Sequence, residues 1–258
     1  MQVTPLPKSV TRADDWRDAP RPNQLIAALP KSDRNRLLGQ CELVHLTLAQ
    51  VLCAIGDNTR HAYFPSDSFI SLLARLDDHH ELEVGMAGSE GMLGMQLVLG
   101  LRRDPLKAIV QGAGSAWRIE ARALALELER CPALHRRMLR YASVLMDQRA
   151  VSMACLRYHE IGPRLSRWLL MSQDRAQADT LPVTQEFLAA MLGVRRVGVT
   201  TAAGQLQQRG LITYHRGRLT VLDRSALETA ACSCYAADLG VYSNTMRAKE
   251  PPTSPRPR

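Results

Sequence analysis

Residues 184–222 read TQEFLAAMLGVRRVGVTTAAGQLQQRGLITYHRGRLTVL. Thr184 stands where a helix N-cap belongs, because its hydroxyl can accept an orphan backbone N–H of the following turn. Phe187, Leu188 and Met191 then recur at helical spacing and give one apolar face. Gly193 follows, where a sharp turn between two helices needs a residue that tolerates positive φ. A second helix is predicted from about Arg195 to Gln208, with Val199, Ala202, Ala203 and Leu206 inward. Gly210 sits where a helix C-terminal glycine belongs. Leu211–Tyr214 and Leu219–Leu222 are short β-type runs around Arg216-Gly217, a predicted hairpin turn. The stretch is a helix, a tight turn, a helix and a wing.

The outward face of the second helix has a definite chemistry. Its first turn carries Arg195 and Arg196 and no acidic residue, and Thr200, Thr201, Gln205 and Gln208 follow on outward positions. A helix N-terminus with two guanidinium groups suits phosphates and guanine edges. Arg216 and Arg218 on the hairpin can reach a flanking phosphate. Any two packed helices joined by glycine share the bare outline, but cap, turn, double arginine and wing together point to double-stranded DNA. The candidate DNA contacts are therefore Thr184, Arg195, Arg196, Thr200, Thr201, Gln205, Arg216 and Arg218.

From about Arg157 to Leu227 the chain resembles the C-terminal domain of the Crp/Fnr family of bacterial transcription regulators. The likeness is carried by Thr184, Glu186, Gly193, Arg196, Val199, Leu206, Gly210, Leu211, Ile212 and the wing. The family's best-known member reads bases with an arginine, a glutamate and a second arginine. The first falls on Arg196, but the other two positions hold Val197 and Thr201. The resemblance thus implies the fold and not the usual operator half-site; Val197 and Thr201 suit a thymine methyl instead.

The rest of the chain fits that outline. Its 258 residues allow two modest domains, and 46% hydrophobic content suits a globular protein. The net charge of +8 is uneven: residues 157–219 hold nine arginines against four acidic residues, whereas 1–156 are nearly balanced. No run is long and apolar enough to span a bilayer, and the N-terminus lacks the apolar core of a signal peptide. A cytoplasmic protein with no membrane partner is expected. Six scattered cysteines (41, 53, 131, 155, 232, 234) predict thiols rather than a disulfide framework.

Residues 1–22, rich in proline and charge, predict a disordered arm. Residues 23–40 predict two short helices separated by Pro30, with Ser32 or Asp33 as cap of the second. Cys41–Ile119 changes to short apolar runs, some alternating, at Val44–Leu48, Tyr63–Pro65, Phe69–Leu73, Leu82–Met86, Ala108–Gln111 and Ala116–Ile119. Turn residues between them predict an antiparallel jelly-roll-like β-roll. By resemblance, 23–130 is the family's cyclic-nucleotide-binding-like sensor. The expected phosphate-binding arginine is missing: Glu90 precedes its glycine and Lys107 precedes the small residue. Glu90 and Lys107 are the weak effector-site candidates, and the effector is unknown.

Residues 131–158 predict one long dimerisation helix, without internal proline or glycine after Pro132. Leu134, Met138, Tyr141 or Ala142, Leu145, Gln148 or Arg149, Ser152, and Cys155 or Leu156 form a broken seam. It suits a homodimer coiled coil or a helix packed on its own roll. A homodimer would read a pseudo-palindromic operator with half-sites one helical turn apart. His159–Pro163 is a predicted hinge, Pro163 opens the next helix with Arg164 and Arg167 exposed, and Asp174–Thr180 is a polar loop. The DNA-binding domain is placed at 159–231, with a short helix at Ser225–Ala231, and a tail at 232–258. Cys232 and Cys234 offer too few ligands for a metal site, and the other cysteines are not grouped to help. No metal or cofactor is expected, and His79-His80 with Asp77 and Asp78 reads as a charged turn.

The fold class expected is α+β, with an N-terminal antiparallel β-roll, a long helix and a C-terminal winged helix-turn-helix. The function expected is sequence-specific transcription regulation, with RNA polymerase as a further partner if the protein activates. The alternative, a small-molecule or redox enzyme with basic helices, finds no nucleophile elbow, zinc-protease motif, P-loop or dinucleotide fingerprint.

Overall fold

The computed structural model describes residues 22–76 and 81–247. The arm expected at 1–22 (Pro22 apart), the turn at 77–80 and the tail from 248 onward lie outside the described residues. The chain divides into two compact units. Among the described residues, one comprises 22–74, 86–135 and 175–177, the other 75–76, 81–85, 136–174 and 178–247.

The first unit opens with helix α1 (Gln24–Ala27), whose N-cap is Asn23: its side-chain oxygen accepts from the N–H groups of Leu25 and Ile26. The Asn23 amide also donates to the carbonyls of Pro65 and Gly91 at 2.9 and 2.7 Å, which is why a fully buried asparagine is tolerated. Helix α2 (Lys31–Leu38) starts directly after Pro30. Ser32 and Asp33 therefore lie inside it and do not cap it, because Pro30 already holds the extended backbone of a residue entering a helix.

In chain order seven strands follow: β1 (Glu42–Leu46), β2 (Val51–Cys53), β3 (His61–Pro65), β4 (Phe69–Arg75), β5 (Glu81–Ala87), β6 (Lys107–Gly112) and β7 (Gly114–Glu120), with the first part of β5, to Gly85, belonging to the second unit. They form two sheets of order β1-β7-β3 and β2-β6-β4-β5. The ladders run antiparallel, with Glu42 opposite Arg118, His61 opposite Glu120 and Leu72 opposite Ala108. Leu46, Tyr63, Ile70, Leu72, Leu93, Ala108, Val110 and Ala116 close one core, as the period-two runs require. Short helix α3 (Met95–Val98) follows Gly94, which adopts φ 99° and at which a Cβ would lie 3.1 Å from Ala62 Cα. Several elements escaped sequence reading. Strand β2 is only three residues long, and α4 (Ala121–Arg130) buries Leu124, Leu128 and Glu127, the last paired with Arg36 at 2.9 Å.

Helix α5 (Pro132–Tyr158) is the long helix expected, 27 residues without a break. Its predicted seam is corrected. Leu134, Met138, Tyr141 and Leu145 are already buried within the chain, together with Val144. The apolar side chains left exposed are Leu139, Met146 and Met153, seven residues apart, with Leu156 and Tyr158.

The second unit continues with α6 (Ile161–Ala176), β8 (Thr180–Pro182), α7 (Gln185–Leu192), α8 (Arg196–Gln208), β9 (Ile212–His215), β10 (Arg218–Val221), α9 (Arg224–Ala230) and α10 (Cys234–Arg247). The break between α5 and α6 is two residues, His159 and Glu160, so Gly162 and Pro163 lie in the first turn of α6. Much of the expected polar loop is the end of α6. Residues 234–247, expected as tail, are a 14-residue helix with Tyr235, Asp238 and Met246 buried. Its run of serine, asparagine, threonine and Gly240 is a weak helix former; packing decides the helix.

Candidate nucleic-acid interface

Thr184 caps α7 as expected, accepting from the Phe187 N–H at 3.1 Å. Gly193 ends that helix at φ 62°, ψ 41°, a conformation in which a side chain would cost about 1–2 kcal/mol. Leu188, Met191 and Leu192 of α7 and Val199, Ala202, Ala203 and Leu206 of α8 are buried, so the inward face of each helix is the one its periodicity predicted. Arg195 is the N-cap residue of α8, and Arg196 its first residue.

The wing is built to hold one position. Strand β10 pairs with β9 on one side and with β8 on the other, in the order β8-β10-β9. His215 faces Arg218, so Arg216-Gly217 is a two-residue turn, and both residues have positive φ, 48° and 74°. That is the turn whose twist matches paired strands. Three further bonds fix the wing: Tyr214 N–H donates to Gln207 Oε1 at 2.8 Å, Tyr214 O–H to the Val183 carbonyl at 3.0 Å, and Thr180 and Thr220 hydroxyls meet at 2.9 Å.

All eight candidate contact residues are exposed. The structure brings Thr184, Arg196 and Arg216 together around one cavity of about 390 Å³, shared with Gln185, Glu186, Tyr214, His215 and Gly217. Arg195, Thr200, Thr201, Gln205 and Arg218 lie outside that lining. Thr200 Oγ1 donates to Gln185 Oε1 at 2.7 Å and lies 3.1 Å from the Arg196 carbonyl. Thr201 Oγ1 donates to the Val197 carbonyl at 3.1 Å. Neither hydroxyl proton points outward; what the helix presents there is acceptor oxygen and methyl. Val197 is 77% exposed, the largest apolar projection on the helix, and lies one turn before Thr201.

Electrostatics divide the nine arginines. Arg195, Arg196, Arg216 and Arg218 make no ion pair among the described residues. Arg164 and Arg167, expected on the surface, are not there. Arg164 is 9% exposed and donates to the Leu192 carbonyl, an end-of-helix acceptor on α7. Arg167 donates to Asp238 at 3.0 Å and to Ser152 Oγ at 2.9 Å. Burial works against the Arg167 charge, and Asp238 holds its pKa above the usual value regardless. Helical spacing shows that a residue faces inward or outward, but not that an arginine stem can lie inward with its head on a buried acceptor.

In the first unit, the two weak effector candidates do not converge. Glu90 pairs with Arg175 at 2.8 Å and accepts from the Gly88 N–H. Lys107 begins β6. A cavity of about 390 Å³ in this unit is lined by Asp57, Thr59, Arg60, His61, Tyr63 and neighbours, and neither Glu90 nor Lys107 lines it.

The cysteine reading also needs correction. Cys155 lies with Cys232 and Cys234, joined by His159, and the four ligand atoms are within 4.8 Å of one another. The segment between α9 and α10 returns the last two thiols to the end of α5, a proximity that 77 residues of sequence between Cys155 and Cys232 cannot show. A hydrogen bond from Cys232 holds the Cys155 thiol below its usual pKa against the effect of burial, with His159 and Arg167 adding to it. Cys41, by contrast, is pushed up to about 12 by burial, with Glu127 adding to it.

Residues 163–230 match the family model of the Crp-like helix-turn-helix domain. No curated protein matches the chain. Among solved structures, TTHB099, a CRP-family transcriptional regulator from Thermus thermophilus, aligns with a TM-score of 0.61 at 21% identity, covering 73% of this chain and 96% of that one. The c-di-GMP-responsive global regulator CLP of Xanthomonas campestris aligns with a TM-score of 0.62 at 17% identity, covering 75% and 100%. FixK2 from Bradyrhizobium japonicum aligns at 0.60 and 13%, covering 74% and 98%. A β-roll, a long helix and a winged helix-turn-helix in this order are what these structures share with the chain. Residues 163–230 are a Crp-like helix-turn-helix domain, and the chain as a whole has the fold of the CRP/FNR transcription regulators.

Proposed function

We propose that the protein is a homodimeric, sequence-specific DNA-binding transcription regulator. The observation that carries this is the exposed N-terminus of α8, with Arg195 and Arg196 in no ion pair among the described residues and the wing's Arg216 at the same cavity as Arg196. In this reading α8 enters the major groove. Arg196 reads a guanine edge through its two-pronged guanidinium, and Val197 and the Thr201 methyl lie on thymine methyls. Arg195, the wing residues Arg216 and Arg218, and Thr184 hold phosphates and set the register. Thr200 and Gln205 lie on the same outward face, Thr200 as an acceptor because its proton is used on Gln185.

The second copy is held by the exposed stripe of α5. Leu139, Met146 and Met153 repeat every seven residues, the spacing that keeps a seam facing a partner helix. Ala142 and Ala150 lie between them and allow close approach. Two winged heads then read half-sites about 34 Å apart on one face of the duplex. A signal at the N-terminal β-roll acts by favouring one of two arrangements of the heads, and can do so only through its difference in affinity for the two. RNA polymerase is the further partner that activation would require.

Selection of sites from a randomised duplex library with the full-length protein tests the reading. A two-fold symmetric site is expected, with affinity falling steeply as salt rises, by a log–log slope of about 0.9 for each phosphate neutralised. Recovery of no preferred sequence under any condition, with a shallow salt slope, would refute it.

A further inference from the structure

We propose that Cys155, His159, Cys232 and Cys234 form a tetrahedral site for one zinc ion, independent of the DNA-binding reading above. Each ligand comes from a place that the fold fixes. Cys155 lies in the last turns of α5, and His159 follows it by four residues. The His159 N–H donates to the Cys155 carbonyl at 3.1 Å, so the helical path continues and both side chains project from one face. On the other side, α9 ends and Ala231 turns the chain out with φ −74°, ψ 157°. The Cys232 N–H then anchors to the Pro163 carbonyl at 3.3 Å, and Cys234 opens α10. The spacing is Cys-x3-His on one segment and Cys-x-Cys on the other.

The distances suit one small ion. Cys155 and Cys232 sulfurs are 3.6 Å apart, and Cys234 Sγ is 3.4 Å from His159 Nδ1. A tetrahedron with zinc–sulfur bonds of about 2.3 Å has sulfur–sulfur edges of about 3.8 Å. With all four ligand atoms inside 4.8 Å, contraction of at most about 1 Å along the longest edge completes the geometry. An iron–sulfur cluster places iron and sulfide atoms between its thiolates and needs a wider set. Three thiols and an imidazole favour zinc over the hard, oxygen-seeking calcium and magnesium. Four protein ligands leave no open position, so the site would be structural.

The three thiols pack against one another and against Val151, with two guanidinium groups acting on them. Three thiolates and zinc carry a net charge of −1, and Arg164 and Arg167 both act electrostatically on Cys155 and Cys232. Arg167 is itself fixed by Asp238 and Ser152. Loading balances simply: three S–H protons leave to solvent, three sulfur lone pairs and one imidazole lone pair bind the ion, and no oxidant is involved. The ion would tie the end of α5, and with it the junction to α6, to the segment between α9 and α10.

The test uses the full-length protein, purified under reducing conditions and freed of metal, titrated with cobalt(II) and then zinc. Saturation at one cobalt per chain is expected, with thiolate charge-transfer absorption and the intense visible bands of tetrahedral cobalt, bleached by zinc. Zinc should protect three of the six thiols from Ellman's reagent under native conditions. Cys155→Ser and Cys234→Ser should each weaken metal binding by more than about 100-fold, beyond the loss of an outer-shell partner, while Cys131→Ser leaves it unchanged. If the serine variants fail to fold, the thiol-protection count on the unaltered protein and the altered cobalt spectrum of His159→Gln decide instead. Weak octahedral cobalt binding, zinc that protects no thiol, tetrahedral spectra that persist in folded Cys155→Ser, or a Cys155–Cys232 disulfide in the protein as isolated would each overturn the proposal.

Discussion

The Thr200 hydroxyl donates to the side-chain oxygen of Gln185 across 2.7 Å, joining the recognition-type helix to the helix before it. The bond orients α8 on α7 and removes a donor from the outward face. Thr200→Val keeps the shape and deletes the bond. A loss of about 0.5–1.5 kcal/mol is expected, the worth of one such hydrogen bond, read as a lower urea midpoint at unchanged slope.

Arg196 and Arg218 should separate in their effects on DNA. Arg196→Ala is expected to cost about 1–3 kcal/mol on the best site and to relax the choice at one base position. Arg218→Ala should weaken all sequences alike and reduce the log–log salt slope by about 0.9, the share of one phosphate. Anisotropy titrations of both variants, on the selected site and on scrambled duplex, at several salt concentrations, check this.

Arg216 sits at φ 48° in the wing turn, where Asn-Gly is the favoured pair. Arg216→Asn should relieve that backbone cost and stabilise the protein by about 0.5–1 kcal/mol. The same change removes a cation beside Arg196 and Thr184 and should weaken DNA binding. Thermal melting and DNA titration of one variant should thus move in opposite directions.

Met146, 70% exposed on α5, is the centre of the seven-residue stripe. Met146→Glu places like charges against each other across a two-fold seam while leaving the monomer core untouched. Sedimentation velocity should shift from dimer to monomer, and affinity for a symmetric site should collapse more than affinity for a half-site. An unchanged dimer would move the interface elsewhere.

His61 titrates below its ordinary value, chiefly because burial disfavours the imidazolium, with Arg118 and Arg60 adding to this and Glu120 and Glu42 opposing. The unfolded chain therefore takes up the proton first as pH falls. This group costs nothing above about pH 6.5, and stability is lost from there down through the lower folded value. His61→Gln should lose less stability than the unaltered protein between pH 7.5 and 5.5 in parallel urea titrations.

The recognisable part of this chain was the part governed by local rules. A capping threonine, a left-handed glycine and a 3.6-residue period act over a single turn, so α7, α8 and the wing hairpin could be read directly from residues 184–222. The period-two runs of the roll were readable for the same reason. Strand β2 and helix α4 escaped because three residues carry no period and Glu127 reads as a surface acid until Arg36 is placed beside it. Helix α10 escaped because its local propensity is poor and its burial is tertiary.

Sequence by itself determined the order of the elements from α7 to β10, the inward face of each helix in the helix-turn-helix and the two arginines that open α8. Side-chain periodicity and capping depend only on neighbours within a few residues. Tertiary structure alone decided which arginines remain outside, which apolar stripe of α5 is left exposed, and that Cys155 and His159 meet Cys232 and Cys234. Those outcomes depend on where the chain returns in space. A buried carbonyl for Arg164, a carboxylate for Arg167 and a pair of thiols for Cys155 are supplied by segments 28 to 77 residues away.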